Sequence, residues 1–479
     1  MKTISKKPPI LLTLAFVLGG LLFSCGEDRW KEYEPLTAVD TWMYGLMQQE
    51  YLWYADLLPE DDKEFNPFQA PAAFLAKIKK KEDSYSFVDT VMETPLPSYG
   101  FDYSLVRNPD IDTAYNALIT YVIPHSPADN AGLKRGNWIM KVDTSYISKK
   151  YEVPLLQGMG ATTLQLGSYQ QVSIPSEIEG ADPEKVWRVV PVGSPIEIGA
   201  AAVTEDDPVH YNSVLTLKDG SQIGYLVYNS FTAGTVADPE KYDNELRAWS
   251  ASMAKQNIDR VILDLRYNRG GTMDCVQLLA TLLAPASSLD KTMAMLEYND
   301  KNISKDATLT FDSQLIKDGA NLDLKALYLL TGSETAGAPE MMMHALNGKI
   351  PLMVTVGSAT KGQNVATEQF VNDELHWSVN PVVCNVYNDA GQPFTSFAAT
   401  VPANTADYTT FLPFGDPQET LLQKTLDYIN SIQEQGPTET RTATTPQPFR
   451  IEKSVSAPGS RVYGGGRGLR IKAAPAVKP

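Results

Sequence analysis

Apolar residues recur at helical spacing between Thr37 and Leu58. Trp42, Met43, Leu46, Met47, Trp53 and Tyr54 fall on one side, which predicts a helix ended by Pro59. A second helix is predicted over residues 70–81, with Phe74, Leu75 and Ile78 on its apolar face. The two form a small helical domain over residues 36–91, and its aromatic stripe reads as core. The period then shortens to two. Val122 and Ile123 lie in a strand, Pro124 to Ala128 is a turn running into a short helix, and Trp138 to Val142 alternates as a strand. This strand-rich unit spans residues 92–200. From residue 201 to 435 the apolar runs are short and continuous: Ile223–Tyr228, Ile258–Leu265, Leu327–Leu330 and Leu352–Val356. Helices alternate with them, one after Gly271 and others over Pro339–Leu346 and Glu419–Ile429. Such alternation builds a largely parallel sheet, so the fold class is multidomain α/β.

The two ends differ from this body. Lys6 and Lys7 precede an apolar run, Ile10 to Phe23, too short for an ordinary spanning helix. It ends Leu22-Phe23-Ser24-Cys25, which resembles a bacterial lipobox. Residues 1–24 are then a lipoprotein signal peptide, Cys25 the lipidated residue, and residues 25–35 a tether. The alternative is an uncleaved anchor with an incidental cysteine. Glu27-Asp28 resemble the acidic export signal of Bacteroidetes surface lipoproteins, which implies an outer-membrane lipoprotein exposed at the cell surface. At the other end, residues 436–479 are rich in Thr, Pro, Gly and basic residues and contain Gly464-Gly465-Gly466-Arg467-Gly468. This tail reads as mostly disordered and solvated. Folding back on the body, or contact with anionic sugars or lipids, is the alternative.

Charge narrows the partners. The formal net charge is -16. Lys2, Lys6 and Lys7 leave with the signal segment, and the tail carries eight Lys/Arg against two Asp/Glu, which puts the body near -25. So acidic a body argues against nucleic acid. Cys275 and Cys384 remain in the mature chain. An exported compartment permits a disulfide, but two buried free thiols are the plainer expectation.

Three local strings carry chemistry. Asp264-Leu265-Arg266-Tyr267-Asn268-Arg269-Gly270-Gly271 follows one buried strand. Thr335-Ala336-Gly337-Ala338-Pro339-Glu340 follows another and opens a helix, and Lys361-Gly362-Gln363-Asn364-Val365 comes about one strand later. Together they resemble the C-terminal-processing (tail-specific) serine protease family. The closing segment Pro413-Phe414-Gly415-Asp416-Pro417 is similar to the end of the same core in Bacteroidetes members. The resemblance implies a crotonase-like α/β protease core over residues 201–435. The string Ser126-Pro127-Ala128 to Ala131-Gly132-Leu133-Lys134-Arg135-Gly136 resembles a PDZ domain, which implies a PDZ-like β domain over residues 92–200. Such a domain adds a peptide C-terminus as a strand. Ser98-Tyr99-Gly100-Phe101 is the candidate carboxylate loop, with a blocked groove as the alternative.

The family motif T-A-S-A-S-E places its nucleophile where this chain has Gly337, and its general-base Lys where this chain has Gln363. The oxyanion donors that the resemblance implies are the amide of Ala338 and one of the Gly270-Gly271 pair. Backbone donors need no particular side chain, so this half persists. The reacting half is missing: Gly337 has no side chain, and the Gln363 amide accepts no proton at neutral pH. A desolvated lysine is costly once its serine is gone, which makes the double replacement coherent. Ser333 and Thr335 carry nearby hydroxyls, and Lys361 lies two residues before Gln363, on the same face of a strand and so within reach of the site. A displaced Ser/Lys pair is therefore an alternative. His125, His210, His344 and His376 show no paired metal-ligand spacing and no Gly-rich phosphate loop appears, so no metal and no cofactor is expected.

The expectation is a cell-envelope lipoprotein of this serine peptidase family, a non-catalytic homologue that binds peptides or protein C-termini and reaches the membrane through its lipid. The alternatives are an active serine endopeptidase with a displaced pair, and a structural partner subunit.

Overall fold

The computed structural model describes residues 30–91, 96–148, 158–175, 182–403, 411–434, 449–457 and 468–471. Cys25 and the signal segment lie outside the described residues. The first helix runs Trp30–Glu50 and the second Pro71–Ile78. The first begins inside the stretch expected to be a tether. It ends well before Pro59, because the amide of Leu52 donates to the Val382 carbonyl at 2.8 Å and draws the chain onto a core strand. Met43, Met47, Tyr51, Phe74 and Ile78 are buried together with Val365, Val379 and Val382. The helical unit therefore shares its core with residues far downstream. A three-stranded sheet strengthens the join, with Phe87–Thr90 paired to Trp377–Asn380, which in turn pairs Phe370–Asn372.

The main sheet runs in the order Val401–Pro402, Leu352–Gly357, Ala326–Thr331, Arg260–Asp264, Gln222–Tyr228, Val209–Thr216. Every pairing is parallel except the last. Its central strands Gln222–Tyr228, Arg260–Asp264 and Ala326–Thr331 are buried on both faces, as the continuous apolar runs require. The helices Lys241–Lys255, Met273–Leu283 and Ala338–Leu346 bury Leu246, Leu279 and Met342 against one face, and Thr420–Glu434 buries Leu421 and Leu422 against the other. Cys275 and Cys384 are free and buried.

The β unit contributes the strands Phe101–Arg107, Ala114–Val122, Trp138–Val142, Ser145–Ser148, Thr162–Ile174, Glu184–Pro191 and Ile196–Ile198. Arg135 ties it to the core. Its guanidinium donates to the Leu412 carbonyl at 2.5 Å, lies 3.5 Å from the Glu419 carboxylate, and covers the rings of Phe411 and Phe414.

The tail departs most from expectation. Ile451–Val455 is a strand, paired antiparallel to the edge strand Phe101–Arg107 of the β unit. Gly468–Arg470 is another, inside a second six-stranded sheet and parallel to both neighbours, Gly270–Thr272 and Val365–Thr367. These two stretches are not disordered: each completes a sheet whose edge would otherwise carry unpaired backbone groups.

Candidate active site and its occupant

Gly337 caps the helix Ala338–Leu346 with φ +71° and ψ -106°, a conformation that side chains rarely adopt. Pro339 stands in the first turn, where its missing N–H is harmless. One buried carboxylate organises the surroundings. Glu340 accepts the amides of Gly337 at 2.8 Å, Gly362 at 2.5 Å and Gln363 at 2.9 Å. It thus locks the loop of Gly337 to the loop of Gln363. Thr335 is equally committed: its hydroxyl donates to the Leu265 carbonyl at 3.0 Å and accepts the Gly332 amide at 2.9 Å. A fully buried threonine used in this way is a brace between two loops rather than a nucleophile.

Gln363 is fully buried, and its Nε2 donates to the Val365 carbonyl at 2.9 Å. Its Oε1 has no partner among the described residues and lies 2.9 Å from where a Cβ on residue 337 would stand. The structure brings the two substituted positions face to face. Lys361 is not part of this arrangement. Gly362, with φ +90°, breaks the chain before the strand Val365–Thr367 begins, so residues 361 and 363 do not share a strand face. Lys361 is exposed, with its ammonium 6.0 Å from the Tyr85 ring centre. Ser333 is also exposed.

The Gly270 amide donates to the Asn268 side chain at 3.1 Å, so it is already used. The tail strand runs beside this loop, with Gly468 opposite Gly270 and Leu469 opposite Gly271. The backbone of Leu469 and Gly468 approaches to 2.4 Å and 2.6 Å of a Cβ built on residue 337. The Gly468 amide donates to the Arg269 carbonyl at 2.8 Å, and the Ile471 amide to the Thr367 carbonyl at 2.9 Å.

In the β unit, Gly100 has φ +82° and packs on Ser126, which a Cβ there would strike. The Gly100 carbonyl accepts the Ile123 amide and the Tyr99 carbonyl accepts the Ala128 amide. Ser98 exchanges both backbone hydrogen bonds with Ala202. The edge beyond this loop is taken: Val455 sits opposite Tyr103, and Ala457 donates its amide to the Asp102 carboxylate at 2.7 Å. A cavity of about 770 Å³ lies between this tail segment and the core, lined by Arg266, Arg269, Ser333, Phe449 and Ser454 among others.

Behind the glycine loop, Arg266 is clamped between two acids. It donates to Asp264 at 2.7 to 3.1 Å and to Glu419 at 2.8 Å. Burial works to raise the Glu419 carboxyl, but the Arg266 and Arg135 charges outweigh it and hold it down at about 2. His210 meets the Tyr121 hydroxyl at 3.1 Å, and burial together with the Arg135 charge lowers it to about 4. His344 Nε2 lies 2.8 Å from the Thr395 carbonyl and 3.1 Å from the Thr395 amide, bonding one or the other according to its tautomer, and the ring stacks on Phe394. No group of metal-ligating side chains is assembled among the described residues.

The roles of Glu340, Thr335 and Asp102 escaped sequence reasoning. Glu340 carried a signal, as an acid three residues after a helix-opening position. The tail strand carried none beyond its glycines.

The comparisons with known proteins agree with this architecture. Residues 222–395 match peptidase family S41, and residues 38–87 match the S41 N-terminal domain. A crystal structure from Bacteroides fragilis NCTC 9343 assigned to the S41 proteases is 41% identical with a TM-score of 0.74, covering 82% of this chain and 97% of that one. A carboxyl-terminal-processing protease of Picosynechococcus is 26% identical over 269 residues, 55% of this chain and 54% of its own length. A "Probable CtpA-like serine protease" of Staphylococcus epidermidis is 24% identical over 302 residues, 62% of this chain and 53% of its own. The chain spans about half the length of the curated relatives it matches. With the glycine loop, the Gly337 helix and the Glu340 lock all built on the strands that this match covers, the chain belongs to peptidase family S41.

Proposed function

We propose that this chain is a non-catalytic S41 homologue of the cell envelope, lipid-anchored through Cys25, that binds peptides or protein C-termini without cutting them. The observation that carries the reading is the pairing of Gly337 with Gln363 inside a framework that Glu340 still holds together. Acyl transfer needs a nucleophile and a base, and neither residue supplies one. Thr335 is bonded to backbone on both sides, and Lys361 lies over Tyr85, which counts against a displaced pair. The tail strands Ile451–Val455 and Gly468–Arg470 already lie as extended backbone on the β unit and the glycine loop, the mode in which a peptide adds to a sheet.

The test is direct. The full chain is incubated with casein and with a fluorophosphonate probe. The expected result is no cleavage and no labelling above a heat-denatured control. Cleavage that Lys361→Ala abolishes establishes the displaced pair instead.

A further inference from the structure

We infer that the cleft beside Gly337 is a peptide-binding groove whose ligand class is an extended segment with glycine followed by a large aliphatic residue, and that Gly468–Arg470 is its tethered ligand, bound in cis. The inference rests on reading the chain as a peptide-binding homologue and specifies what its groove accepts.

The sheet order is the first argument. Gly270–Thr272 and Val365–Thr367 do not pair with each other; the tail strand stands between them and pairs with both. The groove therefore presents two strand edges to one strip of backbone. Parallel pairing on both sides satisfies its N–H and C=O groups whatever the sequence, which is how strand addition gains affinity.

Side chains supply the selectivity. A Cβ on residue 468 would lie 2.4 Å from the Gln363 Oε1, and φ there is +75°, so this position accepts glycine. Leu469 is fully buried in the main core cluster, so the next position takes a large aliphatic group. The walls are cut to match. A Cβ on residue 270 would meet the Gly468 oxygen at 1.9 Å, and one on residue 337 would meet the Leu469 nitrogen at 2.4 Å. The side chain absent at position 337 is thus space that the ligand uses. The tail is also held at a second point, where Ile451–Val455 adds to the edge of the β unit. Two attachments raise the local concentration of the tethered segment and keep competing peptides out.

The experiment uses the full chain, with hydrogen exchange read by mass spectrometry. In the wild type, residues 270–272, 365–367 and 468–471 are expected to be protected together, independent of protein concentration. In Leu469→Asp, protection of these three segments falls while Gln222–Tyr228 stays protected. An end-blocked fluorescent peptide of the sequence Arg467–Lys472 then binds Leu469→Asp about 10²-fold more tightly than wild type. The same peptide with alanine at the Gly468 position does not bind. Gly468→Ala in the chain is the second variant, displacing the tail without a buried charge, should Leu469→Asp unfold the core. An unprotected tail in the wild type overturns the inference, as does a released groove that binds no peptide. Concentration-dependent protection moves the tail to a second copy and overturns binding in cis. Casein cleavage by the wild type refutes non-catalysis but leaves the protection pattern intact, so the two readings fail separately.

Discussion

The backbone nitrogen of Leu469 lies 2.4 Å from the point that a Cβ on residue 337 would occupy. A backbone atom that close does not yield as the end of a flexible side chain does. The strand at 468–470 therefore excludes a side chain at 337, and a serine placed there must displace the tail.

Restoring the pair tests this. Gly337→Ser forces a side chain onto φ +71° and into the tail backbone. It is expected to cost about 2–4 kcal/mol in denaturant unfolding, with strain of 1–3 kcal/mol as the base. Gly337→Ser with Gln363→Lys is expected to remain unlabelled by a fluorophosphonate, while adding Leu469→Asp permits labelling. Equal labelling of the double and triple variants shows that the tail does not cover the site.

Glu340 makes a second prediction. Its carboxylate receives three backbone amides from two loops, and it is fully buried. Hydrogen bonds to a charged acceptor contribute more than neutral ones, and orphaned buried amides are costly. Glu340→Ala is expected to lose about 3–5 kcal/mol. Glu340→Gln keeps one acceptor oxygen and should fall between it and the wild type. Chemical unfolding of the three proteins gives the order, and equal stability of all three rejects the locking role.

Much of this was legible because it is local. The glycine pair, the Gly337 helix start and the Gln363 position sit in short strings whose neighbours in sequence are their neighbours in space. The strand–helix alternation of the core is of the same kind. The misreadings came from distant partners. The helix ends at Glu50 because Leu52 bonds Val382, more than three hundred residues away. Lys361 was placed by a strand period that the Gly362 turn interrupts. The tail strand sits in a glycine- and arginine-rich stretch that composition assigns to coil, and only Gly270, Ala366 and their neighbours make it a strand. A low-complexity segment with one buried leucine has no periodicity to detect.

The lipid anchor concerns residues outside the described structure, so its test is biochemical. Cys25→Ala, expressed in a bacterium that processes lipoproteins, is expected to leave the membrane fraction. Metabolic labelling with a fatty acid should mark the wild type and not the variant. Unchanged membrane association of Cys25→Ala rejects the lipobox reading.

The Asp264–Arg266–Glu419 cluster predicts acid lability. The Glu419 carboxyl is held at about 2, below its unfolded value near 4.5. Its contribution is therefore complete above pH 4.5 and is lost as pH falls toward 2. Removing Arg266 strips Asp264 of its cation and leaves Glu419 with Arg135 alone. Arg266→Met is expected to cost about 3–5 kcal/mol at pH 7, and the deficit shrinks as pH falls from 4.5 toward 2, because the wild type loses the Glu419 contribution there. Urea unfolding of both proteins at pH 7, 4 and 3 gives the difference, and a difference that is the same at all three values removes the ion cluster from the stability argument.

His210 predicts a loss in the same direction in a neighbouring window. It joins the core to the β unit through Tyr121, whose hydroxyl also donates to Asp206 at 2.5 Å. Burial and the Arg135 charge lower His210 to about 4, against Asp129, which acts to raise it. The unfolded chain takes up this proton near pH 6.5, and the folded chain refuses it until about pH 4. Stability from this group therefore falls as pH drops from 6.5 to 4 and is level below that, with a total of up to about 3 kcal/mol. The whole-protein curve does not isolate it. Burial raises Asp40 to about 7 and Asp243 to about 6, and both gain stability for the fold as pH drops through much of the same window. The difference between wild type and His210→Gln does isolate it, since glutamine does not titrate. Urea unfolding of both proteins at pH 7, 5.5 and 4.5 should show the wild type losing ground to the variant at each step down. A constant difference across the three values means that His210 is protonated equally in both states, and the buried neutral imidazole is then the wrong description of this interface.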